Sequence, residues 1–239
     1  MRILPAIDLK NGHCVRLLQG NFNKVTKYNS DPLAQANYFK LNHLNHLHIV
    51  DLDGAETGNQ LNSNIIKKIL EISDITLQVG GGIRSIQKVE SMLNMGVSRV
   101  IVGTALFQGN FFQDLKKNFN TDQVVLALDF KINNLMPTIY THGWKDNSQI
   151  NLYEFLDTQS FFSNILATDI SLDGLMKGPS FNVYKEILNL FPSLNLIASG
   201  GIKSLQDLDA LKAMKITETV VGKAIYEDNI SLRDLSNDY

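Results

Sequence analysis

The chain has 239 residues, of which 44% are hydrophobic and 19% are charged, and its formal net charge is -2. These proportions are ordinary for a globular protein, and the charge gives no electrostatic reason to expect nucleic acid or an anionic membrane as a partner. A single cysteine, Cys14, excludes an intrachain disulfide, and no apolar run approaches the ~20 residues that cross a bilayer, so we expect a soluble, cytoplasmic protein.

Short apolar runs alternate with longer amphipathic segments along the chain. The apolar runs predict eight strands, at residues 3–7, 46–51, 76–79, 98–102, 124–129, 164–168, 195–199 and 217–221. The segments between them predict helices at residues 32–41, 63–72, 86–95, 111–118, 152–158, 181–190 and 205–214, and a terminal helix near Leu232. Strands that alternate with helices indicate right-handed βαβ units and a parallel sheet. The pattern predicts a single (β/α)8 barrel domain over residues 1–239, with an open doubly wound sheet as the alternative.

Two stretches of the sequence recur half a chain apart. The sequence GGGIRS at residues 80–85 returns as SGGIKS at 199–204, and VGTALF at 102–107 returns as VGKAIY at 221–226. Both glycine pairs, Gly81 with Gly200 and Gly103 with Gly222, are 119 residues apart. This repeat favours the barrel, built from half-barrels of about 1–120 and 121–239, because a barrel closes naturally from two similar halves.

Each repeated stretch is an apolar run that ends in glycine and leads towards a helix. Free backbone N–H groups and the positive end of a helix at such a junction suit an anion such as phosphate. Because the arrangement occurs twice, the sequence predicts a ligand with two phosphates.

Two aspartates end apolar runs at equivalent places in the two halves. Asp8 ends the first predicted strand and Asp129 ends the fifth, 121 residues later. Carboxyl groups that face each other at the mouth of a barrel can act as general acid and general base. The alternative is a pair of aspartates that cap helices or hydrogen-bond within loops.

A second acidic pair follows the second and sixth predicted strands. Asp51 and Asp169 are 118 residues apart, and the second of them lies between Thr168 and Asp173. These side chains could hold the ligand or orient the first pair. The alternative is a structural role in turns, because Asp-Gly is a common turn signal.

Two connections are much longer than the others, at residues 9–30 and 130–150. Both leave the carboxyl ends of strands, where barrel enzymes place their chemistry, so we expect binding loops or lids rather than simple insertions. Arg16 in the first offers a planar fork suited to phosphate or a carboxamide, unless it is only a solvated charge. Trp144 in the second could cover a planar ligand, unless it only packs in the core.

Three histidines near the second strand invite a metal hypothesis. Of His43, His46 and His48, only His46 and His48 would lie on the same face of a strand. No third ligand is well placed beside these two, and there is no cysteine cluster. We therefore expect no metal, and a packed or hydrogen-bonded His48. Cys14 has only a sequence neighbour as a possible base, so we do not expect it to be a nucleophile.

Taken in order, these motifs resemble the family of histidine-biosynthesis isomerases that act on the ribotide ProFAR. The resemblance spans essentially the whole chain and depends on residues 5–9, Gly12, 15–17, 19–20, 48–55, 80–85, 102–105, 143–144, 168–174, 199–204 and 221–224. The sister family is the cyclase subunits of imidazole glycerol phosphate synthase. It typically has cysteine where this chain has Ala6 and lysine where this chain has Arg16. Two positions depart from the isomerase pattern: Asn21 replaces a common aspartate, and Leu175 a common threonine.

The resemblance implies an Amadori rearrangement of an aminoaldose to an aminoketose, without a cofactor or metal. Asp129 would be the general acid that helps open the ribose ring, and Asp8 the general base that removes the proton from ribose C2. Gly81, Gly82, Gly103 and Thr104 would hold one phosphate, and Gly200, Gly201, Gly222 and Lys223 the other. The other implied substrate-binding residues are Arg16, His48, Asp51, Arg84, Trp144, Thr168, Asp169 and Asp173.

The implied partner is a small bisphosphorylated ribotide, with neither nucleic acid nor membrane, and we expect a monomer because no exposed apolar stripe is evident. Three alternatives remain open. One is the cyclase subunit, and another is an isomerase that also accepts phosphoribosylanthranilate. The third is a non-catalytic phosphate-ligand binding protein, which the presence of both Asp8 and Asp129 disfavours.

Overall fold

The computed structural model describes residues 1–239, except for the side chains of residues 237 and 238. Its strands are β1 (Arg2–Lys10), β2 (His13–Leu18), β3 (Asn21–Asn29), β4 (His46–Asp51), β5 (Thr76–Gly80), β6 (Arg99–Val102), β7 (Val124–Asn133), β8 (Met136–Thr141), β9 (Asp146–Asn151), β10 (Asn164–Asp169), β11 (Asn195–Ser199) and β12 (Glu218–Val221). Its α-helices are α1 (Pro32–Leu41), α2 (Leu52–Thr57), α3 (Ser63–Leu70), α4 (Ile86–Met95), α5 (Phe111–Asn118), α6 (Leu152–Thr158), α7 (Phe181–Leu190), α8 (Leu205–Ala213), α9 (Lys223–Tyr226) and α10 (Leu232–Asp238), and a 3-10 turn spans Thr104–Phe107.

Eight parallel strands form a closed barrel. Their order around it is β1, β4, β5, β6, β7, β10, β11 and β12, and β12 pairs with β1. Helices alternate with these strands along the chain. The predicted (β/α)8 fold, also called a TIM barrel, is therefore confirmed, and the open-sheet alternative is wrong because the two edge strands pair. No helix among the described residues has the length and hydrophobicity to span a membrane.

Each long connection contains an antiparallel hairpin where the sequence predicted a loop. The first hairpin is formed by β2 and β3, and the second by β8 and β9. β1 and β7 continue beyond their predicted ends because they pair with these hairpins, for example Leu9 with Cys14 and Phe130 with Ile139. These extensions of β1 and β7 are defined by pairing with the hairpins. The predicted strands stopped where the apolar pattern stops, and therefore ended too early.

Alternation along the strands separates an inner core from an outer one. Leu4, Ile101, Val125 and Leu166 belong to a cluster that fills the barrel, whereas the other side of each strand packs against the helices. At the start of the strands, Glu218 is almost fully buried and pairs with Arg2 at 2.9 Å and Arg99 at 2.6 Å. The barrel interior is thus packed from this ionic layer up to the carboxyl ends of the strands.

Candidate active site

The carboxyl ends of the barrel strands bring several predicted site residues to one mouth. Along β1, Leu4 and Ala6 face the inner core, and the same alternation turns Asp8 towards the interior. On the opposite side of the barrel, Asp129 of β7 is paired with Thr168 of β10 in register. The two aspartates therefore line the mouth from opposite halves of the chain.

Asp8 is held by the first hairpin. The Nη1 of Arg16 donates to Oδ2 of Asp8 at 2.9 Å, and its Nη2 donates to the carbonyl oxygen of Ala6 at 3.1 Å. Burial raises the pKa of the Asp8 carboxyl, and the charge and hydrogen bond of Arg16 oppose this rise. Arg16 therefore favours the ionised form of a carboxylate that its surroundings would otherwise protonate.

Asp129 is held by the second hairpin. The indole Nε1 of Trp144 donates to Oδ2 of Asp129 at 2.8 Å. Burial raises the pKa of Asp129, and hydrogen bonds from Trp144 and Thr168 oppose the rise. Neither of these donors has a full charge, so the two aspartates lie in electrostatically different surroundings.

Asp173 adds a third carboxyl to the mouth. Burial raises its pKa to about 6, with Asp8 and Asp129 adding to the rise and Arg16 opposing it. Three acidic groups thus share one guanidinium, and they cannot all be ionised cheaply. A network of this kind can store a proton near neutral pH.

We expect Asp173→Asn to make folding stability less dependent on pH. Because the folded-state pKa is about 6 against an ordinary 3.8, Asp173 stabilises the fold below pH 4, and this contribution is lost as the pH rises through 6. The loss amounts to about 1–3 kcal/mol after allowance for partial exposure. Urea unfolding at pH 4 and pH 8 measures it: the variant should exceed the wild type in stability only at pH 8. An equal difference at both pH values would contradict the shifted pKa.

Asp51 and Asp169 lie beside the mouth. The side chain of Asp51 caps the N-terminus of α2, and that of Asp169 bonds within the segment that follows β10. Asp51 accepts hydrogen bonds from Gly54 N at 3.0 Å and from the Asn62 side chain at 2.6 Å. Asp169 accepts from Ser171 N at 2.9 Å, from the Ser171 hydroxyl and from the Ser180 hydroxyl. The geometry gives both a structural role in shaping the loops, and their contact with substrate stays a prediction.

The glycine turns after β5 and β11 pack tightly on the preceding loops. A Cβ on Gly82, whose φ is +68°, would lie 2.0 Å from the carbonyl oxygen of Gly54. Gly201, with φ of +83°, has the same relation to Gly178 at 2.2 Å. These glycines are therefore required for loop packing, whether or not they also contact a ligand.

In the second repeated stretch, the glycine of each copy precedes a short helical turn. Gly103 precedes the 3-10 turn with φ -115° and ψ -108°, and Gly222 precedes α9 with φ -115° and ψ -98°. The first N–H groups of such turns have no partner within the turn. Each start is tied to a neighbouring loop: Thr104 Oγ1 accepts from His142 N at 2.9 Å, and Lys223 Nζ donates to Gly174 O at 3.0 Å.

The two hairpins and the segment 170–180 meet above the mouth. Gly20 lies so close to Trp144 that a Cβ there would be 2.3 Å from the indole ring, and Gly174 lies against the backbone around Leu17. The side chain of Gln19 donates to Ser171 O at 3.2 Å. These contacts close the mouth partly, and the role of both long connections as binding loops or lids stays a prediction.

Comparison with known proteins identifies the family. The family model described as Histidine biosynthesis protein matches residues 2–231. The chain belongs to this family. Similar proteins include those of Elusimicrobium minutum, 41% identical, and Bacillus cytotoxicus, 42% identical; each match covers 98% of this chain and at least 97% of the relative. Another, from Francisella philomiragia, is 39% identical over 98% of both chains. All three are named 1-(5-phosphoribosyl)-5-((5-phosphoribosylamino)methylideneamino)imidazole-4-carboxamide isomerase.

His48 of β4 lies beside Ala6 of β1, and Arg84 lies between β5 and α4. His48 is buried with Nδ1 2.8 Å from Gln78 Nε2, and burial together with Arg16 and Arg99 lowers its pKa to about 3, so it is neutral. Arg84 donates to Ala55 O at 2.7 Å. Their contact with substrate stays a prediction, because their bonds shown here are to the protein.

Two of the remaining sequence hypotheses concern other chemistry. Burial raises the pKa of the Cys14 thiol to about 12, which disfavours a thiolate nucleophile. Among the described residues, no group of three or more His, Cys, Asp or Glu side chains could hold a metal ion.

A concavity of about 710 Å³, lined by Arg2, His46 and Glu218 among others, lies at the opposite end of the barrel. Barrel enzymes do not place their chemistry at that end.

Sequence reasoning missed residues that support the site. Tyr226 lies with its ring centroid 5.6 Å from the Arg16 guanidinium, and its hydroxyl donates to Ala6 O at 3.0 Å. Asn62 bonds to both Asp51 and Asp53. Tyr226 is part of the second VGxAxx stretch, so the repeat was a usable signal, whereas nothing in the sequence around Asn62 pointed to the turn it braces.

Proposed function

We propose that the chain is an isomerase that rearranges ProFAR, an aminoaldose ribotide, to the corresponding aminoketose. The observation that supports this most is the pair of partly buried carboxyls, Asp8 and Asp129, at opposite sides of one barrel mouth. The relatives' name contains two phosphoribosyl groups, and the mouth lies between two similar glycine turns. A substrate with a phosphate at each end and a reacting ribose between them fits this arrangement.

In the proposed reaction, the sugar takes up two protons, at the ring oxygen and at C1, and releases two, from C2 and from the C2 hydroxyl. Protonated Asp129 gives a proton to the ribose ring oxygen as the C1–O bond breaks, and the amino nitrogen supplies the electron pair that forms a C1=N Schiff base. Ionised Asp8 then removes the proton from C2, and those electrons return to the nitrogen through a C1=C2 bond. The enolamine then takes up a proton at C1 while its C2 hydroxyl loses one, which gives the C2 ketone of the aminoketose. The change is internal, so the substrate and product are isomers.

Asp173 competes with Asp129 for the role of acid. Its pKa of about 6 would give a partly protonated group near neutral pH, which suits proton donation. Asp129 accepts two hydrogen bonds that favour its ionised form. We keep Asp129 as the proposed acid because it is the counterpart of Asp8, and variants at both positions distinguish the two groups.

Anchoring at both ends supplies the rest of the proposed catalysis. Phosphates at the turns that begin at Gly103 and Gly222 would meet free N–H groups. Fixing a substrate in a reactive geometry can contribute about 7–11 kcal/mol to lowering a barrier. Trp144, which lies over the mouth, would contact the planar imidazole carboxamide between the two ends.

In the deciding experiment, the purified protein is incubated with ProFAR. Formation of the aminoketose is followed by the change in absorbance and by a change in chromatographic retention without a change in mass. We expect turnover without added metal or cofactor. Phosphoribosylanthranilate in parallel tests the dual-substrate alternative. The aminoketose with ammonia tests the cyclase alternative, which would yield imidazole glycerol phosphate. Absence of ProFAR turnover by folded protein would overturn the proposal.

A further inference from the structure

The proposed function requires two similar aspartates to play different roles. Asp8 and Asp129 both face inward from parallel strands at equivalent places in the two half-barrels. The strands therefore do not distinguish the base from the acid. The hairpins do. The first hairpin places the guanidinium of Arg16 at 2.9 Å from Asp8, whereas the second places the uncharged indole N–H of Trp144 at 2.8 Å from Asp129.

We propose that Arg16 is a positioning residue that keeps Asp8 ionised and thereby makes it the base, while the uncharged Trp144 leaves its counterpart able to hold the acid's proton. This inference rests on the proposed function. Arg16 then acts on the substrate through Asp8, in addition to any contact of its own with a phosphate.

The physical basis is the charge of the hydrogen-bond donor. A cation within ~4–6 Å lowers the pKa of a carboxyl by about 1–3 units, and charge-assisted hydrogen bonds are about twice as strong as neutral ones. Burial acts on both aspartates in the opposite direction. An uncharged donor offsets burial less than a guanidinium does, so the symmetry of the pair is broken in favour of Asp8 as the ionised member.

Other groups around the pair do not provide this difference. Asp8 and Asp129 both raise the pKa of Asp173 through their charges, so Asp173 interacts with both and does not single out one of them. Cys14 and Tyr226 also lie near Asp8, but burial raises the pKa of both, so they are neutral. Thr168 and Trp144 face Asp129 as neutral donors, and the nearby His48 is neutral as well. Among these groups, Arg16 is therefore the cation that contacts one member of the pair, Asp8.

The site around Arg16 is built to hold the guanidinium in one half of the barrel. Its Nη2 donates to Ala6 O, and Tyr226 packs against it. A Cβ on Gly222 would lie 2.0 Å from Nη2, whereas a Cβ on the counterpart Gly103 would meet nothing nearer than Ala127 at 3.7 Å. The Nε of Arg16 is buried and makes no hydrogen bond, so one donor of the guanidinium has no partner in the protein.

The test is the pH dependence of kcat/KM in Arg16→Gln, Arg16→Lys and Trp144→Phe. Activity falls at acid pH as the base becomes protonated, so loss of the charge should move this fall to higher pH. We expect a shift of at least one pH unit in Arg16→Gln, none beyond about 0.3 in Arg16→Lys, and none in Trp144→Phe, whatever their rates. An unmoved acid limb in Arg16→Gln would overturn the inference.

A matched glycine pair tests the same point without removing the charge. Gly222→Ala should displace the guanidinium and so move the acid-side fall of kcat/KM to higher pH. Gly103→Ala adds the same methyl group to the counterpart turn and should leave the pH of this fall unchanged. Equal limbs in the two variants would count against the inference. Titration of the Asp8 carboxyl by ¹³C NMR in wild type and Arg16→Gln gives a readout independent of turnover. If wild type lacks isomerase activity but the Asp8 titration still shifts, the proposed function fails and the electrostatic role of Arg16 stands.

Discussion

Asp8→Asn is expected to lower kcat for ProFAR by about 10²–10⁴-fold, because an amide cannot accept the C2 proton. The loss corresponds to about 3–5 kcal/mol of transition-state stabilisation. Asparagine keeps the shape of the side chain, so substrate affinity should stay within about tenfold. Steady-state kinetics combined with a direct binding measurement separates the two effects.

Two further variants serve as controls for that result. Asp129→Asn should show a similar loss of kcat if Asp129 is the acid, and Asp173→Asn a smaller one. The reverse order would assign the acid role to Asp173. Retention of more than a tenth of wild-type kcat in Asp8→Asn would remove the proposed base. Removal of Asp51, which caps α2 and bonds to Asn62, should instead act mainly through stability.

Gly82→Ala is expected to have the largest effect on folding stability. The added Cβ would lie 2.0 Å from the backbone oxygen of Gly54, and the φ of +68° is one that alanine adopts with strain. Backbone atoms cannot move aside as a flexible side chain can. Overpacking costs about 1–3 kcal/mol and the strained backbone about 1 kcal/mol more, so we expect a loss of about 2–4 kcal/mol.

Gly109 is the matched control for this prediction. Its φ is also positive, +50°, but a Cβ there would meet nothing within 4 Å. Gly109→Ala should therefore cost about 1 kcal/mol or less. Urea denaturation of both variants measures the difference. If they lose equal stability, the contact of Gly82 with Gly54 is not what makes the glycine necessary.

The sequence predicted the barrel well because its evidence was local and repeated. Each barrel strand is a short apolar run, and burial on both faces makes such runs easy to recognise. The hairpins were missed because β3 and β9 are largely exposed, so hydrophobicity does not mark them. Their strands are defined instead by pairing with β2 and β8.

For the candidate site, alternation along a strand contained more information than the sequence analysis used. On β10, Leu166 faces the inner core, so Thr168 faces inward too and Asp169 faces outward. The prediction that both Asp8 and Asp169 contact the ligand took no account of this alternation. The bond between Arg16 and Asp8 was beyond prediction, because it depends on how the first hairpin folds back over the mouth.

The ionic layer of Arg2, Arg99 and Glu218, together with the packed inner core above it, closes one end of the barrel to small molecules. With this end of the barrel filled, the proposed ribotide substrate would enter and leave only at the carboxyl ends of the strands. Both steps would take it past the two hairpins, so release of the product would have to precede binding of the next substrate.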